Sequence, residues 1–242
     1  MTARFHFPEA LPQTAEVVLP QAIAHHALRV LRLRDGDALV LFDGSGGEVA
    51  ARLQVRGRDA VALLGARRDN DRESPFFVEL AQALPAGDKM DWVVQKAVEL
   101  GAGAIQPLVA ERSVLRLSGE RAERRLAHWR QVAVAACEQC GRNRVPEVRP
   151  LRTLAQWLDE GSALPGYVLA PDGEVGFDDA PGKLSSPGLR LAVGPEGGWS
   201  DAELARLRAG GCRAVRLGPR VLRTETAGLA ALAVLQARWG DF

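Results

Sequence analysis

The sequence predicts an α/β protein in two parts: a β-rich unit over residues 1–72 and a larger unit, 73–242, built on a parallel sheet. Three observations carry that expectation. Short apolar runs divided by turn residues, with one helical segment among them, fill roughly the first 70 residues. Residues 67–75, RRDNDRESP, are charged and polar and end in proline, the composition of a linker. Beyond them apolar runs alternate with helical periodicity, and strands joined through helices in one sheet lie parallel.

In order, Arg4-Phe5-His6-Phe7 and residues 15–19 read as strands, and Pro20 suits the first position of a helix through Leu31. Residues 38–42 and 48–55 flank Asp43-Gly44-Ser45-Gly46-Gly47, which reads as a hairpin turn. A phosphate-binding loop is the alternative, but a strand follows it and offers no helix N-terminus to an anion. A third strand over 60–66 completes a small barrel-like unit. In the second unit 76–83 is a strand, and Asp88 can cap a helix to Leu100 with Met90, Val93, Val94, Ala97 and Val98 as its apolar stripe. Lys89, Gln95, Lys96 and Glu99 fall on the polar side of that helix, as solvated residues. Gly101 and Gly103 stop it before a strand over 104–109. Residues 120–140 form a long helix with Leu126, Trp129, Val132, Ala133 and Ala136 inward, and Gly141 suits the left-handed position after its end. Thr153 or the turn before it opens a helix to about Leu158, 167–170 is a strand, and 173–187 is loop-rich.

Composition excludes more than it selects. An apolar share of 47% and a charged share of 25% are those of an ordinary globular chain, and a net charge of +1 gives no whole-chain signal for nucleic acid. The sign is local: over residues 112–144 eight arginines face three glutamates, a net +5 that suits a phosphate-facing surface or a solvated helix equally. Three cysteines form no disulfide framework and residues 1–13 hold no continuous apolar core, so a reducing cytoplasm is expected, with no membrane association. Cys137-x-x-Cys140 has no second pair and lies in an Ala-rich helical pattern, so no metal site is expected.

Two late segments concentrate the chemistry. Residues 189–193 break into Gly194-Pro195-Glu196-Gly197-Gly198, and residues 214–217 into Gly218-Pro219-Arg220, with Arg223-Thr224-Glu225-Thr226 just beyond. Loops at the carboxyl ends of parallel strands line the ligand crevice of such sheets, so these two together are expected to hold a small cofactor. Ser200-Asp201-Ala202-Glu203 is a capping box that starts a helix after the first loop. The chain lacks a Walker loop, a G-x-G-x-x-G fingerprint, a G-x-S-x-G elbow and an H-E-x-x-H pair, so hydrolase and metalloenzyme readings have no basis in it. Spacing alone does not name the ligand.

The residues themselves do. Gly194-Pro-Glu-Gly-Gly-Trp-Ser200 and Leu217-Gly-Pro-Arg-Val-Leu-Arg-Thr-Glu-Thr-Ala227 resemble the two signature loops of the ribosomal RNA small subunit methyltransferase E family. Supporting likenesses are His25-His26 with Arg29-Val30-Leu31-Arg32, Gly87-Asp88-Lys89-Met90-Asp91 with residues 95–101, Glu111-Arg112-Ser113, and Glu138-Gln139 with Gly141-Arg142. Trp199 stands where Phe is usual and Cys140 where a small polar residue is usual. The resemblance implies a PUA-like N-terminal β-barrel and a C-terminal SPOUT α/β domain with a trefoil knot. It implies S-adenosylmethionine held by Leu169, Gly194, Pro195, Glu196, Gly197, Leu217, Gly218, Leu222, Arg223 and Thr226. It also implies a homodimer, and methylation at N3 of one uridine of 16S ribosomal RNA in the small ribosomal subunit.

Methyl transfer from a sulfonium needs positioning and a charged nucleophile more than covalent help. Arg142 and Arg223 are the candidates for steadying the uracil anion or holding a phosphate, and the alternatives for proton acceptor are Glu138, Glu225 and water. Arg4, Arg29, Arg32 and Arg112 are expected to grip RNA backbone. Two rival readings are a SPOUT ribose 2′-O-methyltransferase of tRNA or rRNA, and a non-catalytic RNA-binding assembly factor.

Overall fold

The computed structural model describes residues 2–57, 59–173, 175–176 and 186–242; most of the loop-rich stretch expected over 173–187 lies outside them. The chain divides into two compact units, residues 1–73 with 137–145, and residues 74–136 with 146–242.

The first unit is a mixed five-stranded sheet of β1 (Ala3–His6), β2 (Glu16–Val18), β3 (Ala38–Phe42), β4 (Glu48–Arg56) and β5 (Asp59–Arg68), in the order β1-β3-β4-β5-β2. Only β1 and β3 pair in parallel; the other pairs are antiparallel. Alternation along β3 and β4 turns Leu39, Leu41, Ala51 and Leu53 onto one face, where Phe5, Phe7, Leu19 and Ile23 join them. The hairpin turn has Gly44, Gly46 and Gly47 all at positive φ, a conformation that a side chain would oppose, and Asp43 accepts from the Ser45 backbone N–H at 3.1 Å. The helix expected through Leu31 is shorter: α1 covers Gln21–His25 and passes into a π-helical turn, His26–Val30, closed by Leu31 N–H donating to the His26 carbonyl five residues back.

Residues 137–145 are fastened into this unit by side chains. The His6 backbone N–H donates to Glu138 Oε1 at 2.9 Å, and the Asn143 side-chain amide donates to the Asn70 carbonyl at 2.6 Å. Gly141 has φ of 88°, the left-handed position expected after a helix end.

The second unit is an all-parallel eight-stranded sheet: β6 (Phe77–Ala83), β7 (Ala104–Val109), β8 (Glu147–Val148), β9 (Arg152–Thr153), β10 (Gly166–Leu169), β11 (Val175–Gly176), β12 (Gly188–Val193) and β13 (Arg213–Arg216). The order is β11-β13-β10-β12-β6-β7-β8, with β9 also on β7. Helices α2 (Lys89–Glu99), α3 (Gly119–Cys140), α4 (Leu154–Asp159), α5 (Asp201–Ala209) and α6 (Thr224–Trp239) connect or follow the strands. Both faces of the sheet are covered, so β12 is buried at every residue, as central parallel strands require. On one face Trp157, Trp199 and Leu207 pack on Ala81, Leu108, Val168 and Ala192. On the other, α2 buries its expected stripe of Met90, Val93, Val94, Ala97 and Val98 and packs on α6. Asp88 sits at the N-cap of α2 without capping it; its carboxylate instead takes a hydrogen bond from Arg125 at 2.8 Å.

The sheet hides one charged knot of side chains. Glu79 of β6 lies in register with Arg190 of β12; Arg190 Nε donates to Glu79 Oε1 at 3.1 Å, Trp157 Nε1 donates to the same oxygen at 2.7 Å, and Arg149 pairs with Oε2. The Arg190 guanidinium also lies 3.8 Å above the Trp157 ring, which spreads its contact over an apolar face.

Candidate functional site

Strand order places the site. Because β10 lies between β12 and β13, the loops leaving all three carboxyl ends meet around one cavity of about 1010 Å3. Its walls include Leu169 after β10, Gly194, Pro195, Glu196 and Gly197 after β12, and Leu217, Gly218, Leu222 and Arg223 after β13. Thr226, expected with them, does not line it: it is exposed on α6, and Thr224 and Ala227 line the cavity in its place.

Each loop is held by identifiable side chains. After Gly198, Ser200 and Glu203 form the expected capping box at the start of α5. The same Glu203 carboxylate reaches further, accepting from the Glu111 backbone N–H at 2.8 Å, so the helix cap also anchors the loop after β7. From that loop Arg112 donates to the carbonyls of Gly197 and Trp199 at 3.0 and 3.1 Å. Arg112, expected to face RNA, is exposed and also braces the Gly194 loop. Gly194 leaves little room for a side chain, since an added Cβ would sit 3.2–3.3 Å from the Trp199 indole and the ring would have to give way.

On the opposite side, Glu196 accepts from the Ala86 backbone N–H at 3.0 Å and from Lys89 Nζ at 3.0 Å. Lys89 also lies 3.4 Å from Glu225, whose other oxygen is buried without a hydrogen-bond partner among the described residues. Burial opposes the charge on Glu196, but Lys89 and the backbone donors outweigh it and hold its carboxyl below the usual range. Lys89 is a residue that sequence reasoning assigned to solvent. A lysine at the first residue of a helix, where the macrodipole disfavours a cation, was the available signal that its charge is used elsewhere.

An RNA methyltransferase domain model matches residues 72–236, and an RNA methyltransferase PUA domain model matches residues 19–64. Over 219 residues the chain is 36% identical to Ribosomal RNA small subunit methyltransferase E of Bacillus subtilis, covering 87% of this chain and 86% of that protein. The chain belongs to the ribosomal RNA small subunit methyltransferase E family. Two solved structures are similar along their whole length. One is a methyltransferase from Legionella pneumophila in complex with the bound cofactor SAM (TM-score 0.94, 36% identity, 100% of both chains). The other is Ribosomal RNA small subunit methyltransferase E from Neisseria gonorrhoeae bound to S-adenosyl methionine (TM-score 0.91, 40% identity, 100% of both chains). This family member thus carries an N-terminal PUA domain with a mixed sheet and a C-terminal methyltransferase domain with a parallel sheet.

The remaining expected residues of this family member lie in the first unit. Arg142 is 5% exposed and paired with Glu73 through both ends of its guanidinium; burial opposes its charge, and the Glu73 carboxylate more than restores it. Arg4, expected to face RNA, is instead an internal staple: its side chain is 10% exposed, donating to Glu48 and to Asn143 Oδ1, both at 2.6 Å. Arg29 and Arg32 are exposed, with no ion pair among the described residues, and Arg32 holds a φ of 55° that few non-glycine residues adopt.

The Glu138 carboxyl is pushed up by burial despite the hydrogen bond from His6. A raised folded pKa means its contribution to stability is complete below the ordinary value of 4.5 and is lost as pH rises through the folded value. Glu138→Gln is expected to keep the His6 contact and remove that slope, leaving the variant the more stable protein at neutral pH. Urea unfolding between roughly pH 4 and 8 checks this; parallel curves for the two proteins would refute it.

Proposed function

We propose that this protein transfers the methyl group of S-adenosylmethionine to N3 of a single uridine in 16S ribosomal RNA of the small ribosomal subunit. The observation that carries the reading is the glycine-walled cavity at the ends of β10, β12 and β13, in a chain whose similar solved structures hold SAM. The residues fit the cofactor. Leu169, Leu217 and Leu222 give apolar walls for an adenine ring, and backbone groups of the two Gly/Pro loops are free of side chains that would block close approach. S-adenosylmethionine supplies an electrophilic methyl group on a sulfonium.

The chain's residues then handle the nucleophile. Uracil N3–H is an imide flanked by two carbonyls, and removing its proton spreads negative charge onto both oxygens. Arg223, on the cavity wall and permanently charged, faces that charge with planar donors. Glu225, two residues along and held near Lys89 through one oxygen, keeps the other buried and off the cavity wall, so the proton passes to water in the cavity. Arg142 keeps its loop in place through Glu73.

The trefoil knot rests on the resemblance of residues 194–200 and 217–227 to the family's two signature loops. A barrel in the first unit is supported by the single core that its edge strand β1 shares with β3, β4 and β5. A homodimer is supported by α6, which is apolar all round over residues 227–235: Leu229, Ala230, Ala233 and Val234 remain partly exposed opposite its buried side. The site of action is the cytoplasm, where the small subunit is. No helix among the described residues is long and apolar enough to cross a membrane.

The test is to incubate the protein with labelled S-adenosylmethionine and small subunits lacking the modification, then map the methyl group by mass spectrometry. A single N3-methyluridine is expected. A ribose methyl would instead indicate a 2′-O-methyltransferase, and absence of cofactor binding a non-catalytic assembly factor. For the RNA surface, Arg29→Ala with Arg32→Ala is expected to lower RNA affinity and flatten its dependence on salt by roughly one unit of log–log slope per arginine, with cofactor affinity unchanged. Filter binding at several salt concentrations decides it, and an unaltered slope removes both residues from the interface.

A further inference from the structure

The Gly194 loop begins with a peptide that is hard to hold. Its nitrogen belongs to Pro195, which has no N–H, so the Gly194 carbonyl is the one group through which a hydrogen bond can fix that peptide plane. That carbonyl is taken by the Thr224 hydroxyl, which is buried at the first residue of α6 and lines the cavity. Thr224 Oγ1 in turn accepts from Gln82 Nε2 at 2.8 Å, and Gln82 is fully buried at the carboxyl end of strand β6.

The direction of this chain of bonds is determined. Gln82 Nε2 also donates to the Ala83 carbonyl at 3.0 Å, and Oε1 has no hydrogen-bond partner among the described residues. Rotating the amide would set Oε1 against the Ala83 carbonyl, acceptor to acceptor, so the Ala83 carbonyl keeps the NH2 end facing Thr224. With its lone pair occupied by that NH2, the threonine proton has one remaining acceptor, the Gly194 carbonyl. The relay therefore runs one way, from Gln82 through Thr224 to Gly194, and joins β6, α6 and the loop after β12. Neither Gln82 nor Thr224 belongs to the residues expected to bind the cofactor.

We propose that Gln82 and Thr224 are positioning residues for the cofactor, acting by clamping the Gly194–Pro195 peptide in the conformation that shapes the cavity. The proposal rests on the reading that this cavity takes S-adenosylmethionine. Removing one partner of a buried hydrogen bond leaves the other unsatisfied, which costs more than the bond itself contributes. Thr224→Val, which keeps the shape and removes the hydroxyl, is therefore expected to weaken S-adenosylmethionine binding by roughly ten- to thirtyfold. Thr224→Ser keeps the relay and stays within about threefold of the parent. Gln82→Leu weakens binding to a similar degree. Because the two residues are links of one chain, the double variant Gln82→Leu/Thr224→Val is expected to be little worse than Thr224→Val alone.

Isothermal calorimetry with S-adenosylmethionine on the full chain measures all four, with urea unfolding run alongside. Loss of affinity in Thr224→Val with recovery in Thr224→Ser and a non-additive double supports the relay. Parent-like affinity in Thr224→Val, or additive losses in the double, overturns it even if stability has dropped, since a merely structural role moves the unfolding curve and not the binding of folded protein. A parent chain that binds no S-adenosylmethionine overturns the cofactor reading and the relay with it, an outcome separate from the first two.

Discussion

Gly194→Val should bind S-adenosylmethionine between roughly tenfold and a hundredfold more weakly than the parent chain, the penalty expected of about 1–3 kcal/mol for forcing extra carbons into a packed site. The position of a glycine Cβ here is already 3.2–3.3 Å from three atoms of the Trp199 indole. Two further methyl groups have to push that ring outward. Trp199 is 6% exposed and packed into the core that α5 shares with the sheet, so it has little room to retreat, and the loop must move instead. Calorimetry reads the affinity directly. Gly194→Ala gives the graded control, because a single methyl asks the ring to shift by only a few tenths of an ångström. Equal affinity for Gly194→Val and the parent would detach this loop from cofactor binding.

The second large effect concerns stability. Glu79→Ala leaves the Arg190 guanidinium, 7% exposed, buried between strands without its carboxylate, and strips the Trp157 indole N–H of its acceptor. Breaking a buried pair from one side costs about 3–5 kcal/mol. Replacing both partners by apolar residues of similar volume is far milder, so Glu79→Leu with Arg190→Met is expected to recover most of the loss. Urea unfolding followed by tryptophan fluorescence measures both variants. A loss under about 1 kcal/mol in Glu79→Ala would mean that water reaches the Arg190 guanidinium after all.

Much of the site's frame was legible because it is written locally. The strands over 189–193 and 214–217 are apolar runs closed by Gly-Pro, and the Ser200–Glu203 capping box is a four-residue pattern; all three stand where they were expected. The hairpin at Asp43 and the helix stop at Gly141 are equally local, each marked by glycines at positive φ. What stayed hidden depends on partners distant in sequence. Arg4 reads as an exposed basic residue until Glu48 and Asn143 fold onto it, 44 and 139 residues away. Lys89 reads as solvated until Glu196 arrives, 107 residues on. Thr226 shares its short motif with Thr224, and because residues two apart on a helix point to nearly opposite sides, which one faces the cavity depends on how α6 is rotated against the sheet. The two-residue strands β8 and β9 have no periodicity to read.

The division of the chain carries a consequence for how the protein comes into being. The first unit is unfinished until residues 137–145 are made, since they supply the Glu138 and Asn143 contacts that fasten β1 and the linker. The second must wait longer: β10 sits between β12 and β13, and α6 carries the hydroxyl that pins Gly194. Folding during synthesis, which goes forward N-terminal part first, thus cannot seal either unit on schedule. The nascent chain emerges with unpaired parallel strands, the slowest kind to assemble, and the cavity takes shape only after Ala227 has left the ribosome.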